Sequence, residues 1–125
     1  GRISIEETRA CTAVDVDSGR DVGGGALNRI NEEAAYEIAR QIRLRNLAGK
    51  IVIDFAGHSE YKYIKPLLEI LERELAKDSI KSHVAGLSRA GLVEIIRVRR
   101  RPSLSELMTE ECPTCNGTGR VEKGA

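Results

Sequence analysis

Two short apolar runs, residues 10–17 (ACTAVDVD) and 50–55 (KIVIDF), flank one long amphipathic stretch, and that order restricts the fold more than any other feature of the chain. Between them Leu27, Ile30, Ala34, Ile38, Ile42 and Leu47 recur at helical spacing, which predicts a helix over residues 28–47 with one apolar face. Asn28 or Asn31 suits its N-cap, Glu32 and Glu33 suit a first turn capped by Asn31, and Ala48-Gly49 ends it. The 50–55 run is nearly all apolar, as a buried central strand is. Strand, helix, strand in that order is a βαβ unit, with parallel neighbours joined by a right-handed crossover.

The rest of the chain extends this α/β pattern. A second helix is expected over residues 60–77, with Ile64, Leu67, Leu68, Leu71 and Leu75 inward. Pro66 falls within its first two turns and moves the expected start towards Lys65. Strands are expected at 80–87 and 92–98, a break at Arg101-Pro102-Ser103, and a short helical turn at 103–108. The fold class is therefore α/β, a mixed sheet with helices packed on it. The expected division is an α/β domain over 1–108 and a cysteine-bearing segment over 109–125. Residues 18–25 (SGRDVGGG) read as a flexible loop, and the opening Gly1-Arg2 reads as mid-protein sequence, so an excised domain is expected. At 125 residues the chain can bury one real core. No apolar run approaches a membrane span, no signal peptide is expected, and three cysteines fit a reducing cytoplasm.

Three constellations carry possible chemistry. Asp15 and Asp17 lie two apart on the first strand and so share a face, and Asp54 ends the second strand. Carboxyl ends of parallel strands line the crevice where α/β sheets bind ligands, so Asp15 and Asp54 are placed to share a hard cation such as magnesium. The ordinary alternative is that Asp15 and Asp17 open a turn and Asp54 is a satisfied edge carboxylate. Arg97, Arg99, Arg100 and Arg101 form one basic cluster and Arg40, Arg43 and Arg45 another, suited to phosphates or simply to solvent. The third is CPTCNGTG (112–119), where two cysteines on a glycine-bearing turn read as a zinc knuckle. A closed zinc site wants four ligands, and the remaining candidates are Cys11, His58 and His83. The missing ligands come either from distant histidines or from a second copy of the knuckle, which predicts a two-fold dimer sharing one metal. Cys11 reads as a buried core thiol, and the two histidines as structural or surface residues. With one Phe, three Tyr and no Trp, a base-stacking platform is not the main binding device.

VDVDSGR (14–20), the helix start at Asn31–Glu33, residues 34–55 (AAYEIARQIRLRNLAGKIVIDF), residues 87–104 (LSRAGLVEIIRVRRRPSL) and CPTCNGTG together resemble the nuclease (DNase I-like) subdomain of the ribonuclease E/G family. The resemblance runs from about Ile3 to Val121, with several long motifs in order. It implies a magnesium-dependent endoribonuclease that cleaves single-stranded RNA in RNA processing and decay. The family's metal-holding aspartates correspond to Asp15 and Asp54. The assisting Asn two residues after the first is Asp17 here, an added charge that would bind metal or alter the water geometry. A basic residue that positions RNA corresponds to Lys81, and Arg89 is a second candidate for flanking phosphates. The knuckle cysteines correspond to Cys112 and Cys115, which the family uses to bind zinc jointly across two protomers, in a homodimer or a higher oligomer. The loop at 19–25 is shorter than the family pattern, and the acidic residue usual after Asp-Phe is replaced around Gly57-His58. The family's S1-like RNA-binding domain and 5′-end sensor would precede Gly1. Two other readings compete: a non-catalytic zinc-linked RNA-binding or scaffold domain, and a redox or zinc-storage module. Retention of both Asp15 and Asp54 favours the nuclease, and the lack of an activating Lys or His beside Cys112 disfavours a redox role.

Overall fold

A computed structural model describes residues 1–19, 25–57 and 60–123. The elements run β1 (Arg2–Glu7), β2 (Thr12–Asp17), α1 (Gly25–Leu44), β3 (Gly49–Asp54), α2 (Tyr61–Leu75), β4 (Ser82–Leu87), β5 (Val93–Arg97) and α3 (Leu104–Met108). The strands form one mixed five-stranded sheet in the order β1-β2-β3-β5-β4. As the sequence predicts, β2 and β3 are parallel neighbours joined through α1, and β3 is central.

Both long helices pack on the same face of the sheet. Val14, Val16, Ile51, Ile53, Val93 and Ile95 point into one core with Ile38, Ile42, Ile64, Leu67 and Leu71. The opposite face is open. Lys50 and Asp54 are exposed on β3, and Glu94 and Ile96 on β5. The apolar run 50–55 therefore marks a central strand but not one buried on both faces; only its alternate residues are covered.

Several boundaries differ from expectation for identifiable reasons. β1 lies in a stretch assigned no structure from sequence, yet Ile3 and Ile5 alternate with polar residues and pack against the core. Cys11 is half-buried in the β1–β2 turn rather than a core thiol; its carbonyl accepts from the Thr8 N–H at 2.8 Å. Asn28 and Asn31 lie inside α1 and cap nothing. That helix ends earlier than 47, because Asn46 takes a left-handed φ of 52°. Helix α2 starts at Tyr61 and runs through Pro66. A proline this near a helix start removes a single backbone hydrogen bond, and Pro66 is exposed, so the helix tolerates it. Most of the 18–25 loop, and His58, lie outside the described residues.

The basic cluster at 97–101 is not one patch. Arg97 follows Val93 and Ile95 on the buried side of β5 and is 2% exposed. Its Nε and Nη2 donate to Asp78 Oδ2 at 3.1 and 2.8 Å, and its Nη1 donates to Asn46 Oδ1 and the Leu47 carbonyl, both at 2.8 Å. Arg99 pairs with Glu106 at 2.8 Å. In the other cluster Arg40 pairs with Glu37, and Arg43 and Arg45 donate to Ala39 and Gln41 one turn back. No described helix is long and apolar enough to cross a membrane.

Candidate active site

Strand β3 ends at Asp54, and its register with β2 sets that residue directly beside Asp15, two residues before β2 ends. Neighbouring strands lie about 4.8 Å apart, so the two carboxylates leave their backbones at roughly that spacing. Residue parity puts Asp15, Asp17 and Asp54 on the open face, and all three are exposed. Asp15 and Asp54 line an open depression with Ser4, Glu6, Val52 and Leu92. Glu6 was missed from sequence because β1 was missed; pairing of β1 with β2 brings it to the same face.

Two like charges this close repel unless a proton or cation lies between them. Hard carboxylate oxygens beside open water positions are a donor set that suits magnesium. Asp17 is engaged differently. Its Oδ1 accepts the Gly19 N–H at 2.9 Å, so it opens the turn after β2, whereas no such bond engages Asp15 among the described residues. Among the described residues no three His, Cys, Asp or Glu side chains are gathered as a metal-binding set.

The backbone behind Asp54 is fixed at three successive residues. Phe55 and Ala56 are buried, and the Ala56 amide and carbonyl both bond to the side chain of Asn31. Gly57 turns the chain at φ 77°, a left-handed backbone that favours glycine, and a Cβ there would meet the Leu27 side chain.

The two predicted RNA-contacting residues lie at opposite ends of the sheet. Arg89 is exposed on the β4–β5 turn, next to the row in which Leu87 pairs with Val93 and Val93 with Ile53. That is the Asp54 end. Lys81 precedes Ser82, which pairs with Arg97, which pairs with Gly49 at the start of β3. Lys81 is therefore level with the residue before Gly49, about 20 Å from Asp54 along the strand direction and two strands across. It lines a larger depression of about 650 Å³ with Asp78, His83 and Arg100. The structure does not bring Lys81 together with the carboxylates.

The cysteine segment forms tight turns on the surface. The Asn116 N–H bonds to the Cys112 carbonyl at 2.7 Å and the Thr118 N–H to that of Cys115 at 3.1 Å. Asn116 and Gly117 both take left-handed φ, 53° and 84°. The backbone N–H of Cys115, then that of Thr114, point at the Cys112 sulfur and hold its thiol below the ordinary range. A thiolate favoured by backbone amides at Cys112 suits a thiophilic metal, and with Cys115 on the same turn it would make up half a tetrahedral site. Arg9 of the β1–β2 turn reaches Glu111 at 2.5 Å, beside the knuckle.

Paired strand-end carboxylates on the open face of an α/β sheet could hold a hard cation, and the chain's relatives carry the names of ribonucleases. The Ribonuclease E/G family profile matches residues 1–100, and the chain belongs to that family. It is 43% identical over 126 residues to Ribonuclease G of Escherichia coli K12, covering 98% of this chain and 26% of that protein. Ribonuclease G of Haemophilus influenzae is 40% identical, again over 98% and 26%. Ribonuclease E of Escherichia coli K12 is 41% identical over 97% of this chain and 12% of that protein. The chain thus spans about a quarter of the Ribonuclease G relatives that it matches.

Proposed function

We propose that this chain is the catalytic domain of a magnesium-dependent endoribonuclease that cleaves single-stranded RNA in the cytoplasm. The observation that carries this reading is the register of Asp15 against Asp54 on the open face of the sheet. Magnesium, when bound, would neutralise phosphoryl charge and acidify an attacking water. Asp15 and Asp54 would hold it, Asp17 would tune the site through the turn it caps, and Arg89 would attract the phosphate nearest them. Lys81 would grip RNA several nucleotides from the scissile bond. Arg89 and Lys81 offer positive charge to phosphates rather than a surface for base stacking, so binding should depend on salt. Treatment of the full-length protein with a chelator is expected to abolish cleavage of an unstructured RNA, and added magnesium to restore it. Cleavage that continues at full rate without divalent ions would discard the metal site.

Cys112 and Cys115 would bind zinc jointly with the same pair on a second chain, making residues 109–125 a dimerisation segment. Two thiols on one turn and no third ligand gathered among the described residues support a shared site. Metal analysis combined with mass in solution should give one zinc per two chains, and Cys112→Ser should release the zinc and lower the mass. One tightly held zinc per monomer would refute the shared site.

A further inference from the structure

We propose that Asn31 is a positioning residue for Asp54, acting through the peptide of Ala56; this rests on the active-site reading above. Asn31 is 4% exposed within α1, a place where an amide side chain is costly unless both of its polar atoms are paired. Here both are. Nδ2 donates to the Ala56 carbonyl at 2.9 Å, and Oδ1 accepts the Ala56 N–H at 3.0 Å. The side chain thus makes to Ala56 the two bonds that a neighbouring strand would make. It extends the ladder where the sheet stops, two residues beyond Asp54. Phe55 and Ala56 are both buried, so water does not readily take the place of the amide.

The Asp54 side chain itself is exposed. Its direction depends on the backbone that carries it. That backbone is held upstream by pairing of β3 with β2 and β5, and downstream by Asn31. Helix α1 is also the crossover from β2, so the element that follows Asp15 in the chain clamps the strand end that carries Asp54. Loss of the clamp leaves Asp15 in place and lets Asp54 drift from it. Two carboxylates that share a cation are more sensitive to such drift than either is alone. Partners behind a ligand of this kind typically change metal affinity by about 10- to 100-fold when removed.

The test uses full-length protein carrying Asn31→Leu or Asn31→Ser, measured well below each variant's melting temperature. Leu75→Ala serves as the control; it opens a cavity in α2 near Ser82, at the end of the sheet remote from Asp54. Manganese is the probe, with affinity read by electron paramagnetic resonance in the absence of RNA. Both Asn31 variants should bind manganese at least about tenfold more weakly. Their kcat should fall while KM for RNA stays near that of the parent, and Leu75→Ala should lose stability without either change. Equal manganese affinity in the parent and a folded Asn31 variant overturns the positioning role while leaving the active-site reading intact. A parent protein that binds no manganese overturns both.

Discussion

Asp54→Asn in the full-length protein is expected to lower RNA cleavage by about a thousandfold, roughly 4 kcal/mol of barrier. The fold and the affinity for RNA should be nearly unchanged, because the side chain is exposed and packs against nothing in the core. The substitution also has a signature in the absence of RNA. Asp54 faces Asp15 in register, so neutralising one carboxylate removes a repulsion from the metal-free fold. The variant should therefore melt no lower than its parent in chelator. Magnesium at about 100 times its Kd should raise the stability of the parent by roughly 2.7 kcal/mol. In the variant that gain should largely vanish. Asp15→Asn should behave in the same way. Asp17→Asn should be milder, since an amide oxygen can still accept the Gly19 N–H. An Asp54→Asn protein that cleaves at the parent rate would leave the non-catalytic scaffold reading in possession.

The βαβ unit was legible because two independent periods agreed. Val14 and Val16 alternate with Asp15 and Asp17, while Ile38 and Ile42 recur at helical spacing; once the strands are parallel, Asp15 and Asp54 must share an edge. The turn at Asn116-Gly117 was legible for a similar local reason, since both residue types accept positive φ. What sequence missed depends on which face a residue takes in three dimensions. Asn31 looked like a cap because Asn favours caps, and only the packed loop at Ala56 reveals its partner. Glu6 needs the β1 pairing before it reaches the site. Lys81 corresponds to a useful position in the family pattern, but β4 runs parallel to β3, and Lys81, just before its start, falls at the Gly49 end of the sheet, away from Asp54. Arg97 was read as part of one basic cluster open to phosphates or solvent, although its parity with Val93 and Ile95 already pointed inward.

That misreading conceals the side chain on which the far end of the domain depends most. Arg97 ties β5 to Asp78 after α2, and to Asn46 and Leu47 after α1. Asn46 in turn donates from Nδ2 to the carbonyls of Arg101 and Pro102, both at 3.1 Å, which fixes the approach to α3. The Arg97 side chain is 1% exposed and that of Asp78 12%, so the charge of each is met by the other and by little water. Removing one member of such a pair leaves an uncompensated charge in a poorly solvated place and typically costs about 3–5 kcal/mol. Arg97→Met should therefore lower the melting temperature by roughly 10 °C or more. The methionine can fill much of the volume, so the loss reports the orphaned Asp78 carboxylate and Leu47 carbonyl rather than a cavity. Adding Asp78→Leu to Arg97→Met should recover part of it, because the stranded charge is gone. Activity per folded molecule should persist at low temperature, since these groups lie at the Gly49 end of β3, away from Asp15 and Asp54. A loss below about 1 kcal/mol, or a double variant no better than Arg97→Met alone, would mean that the ion pair contributes no more than an exposed one.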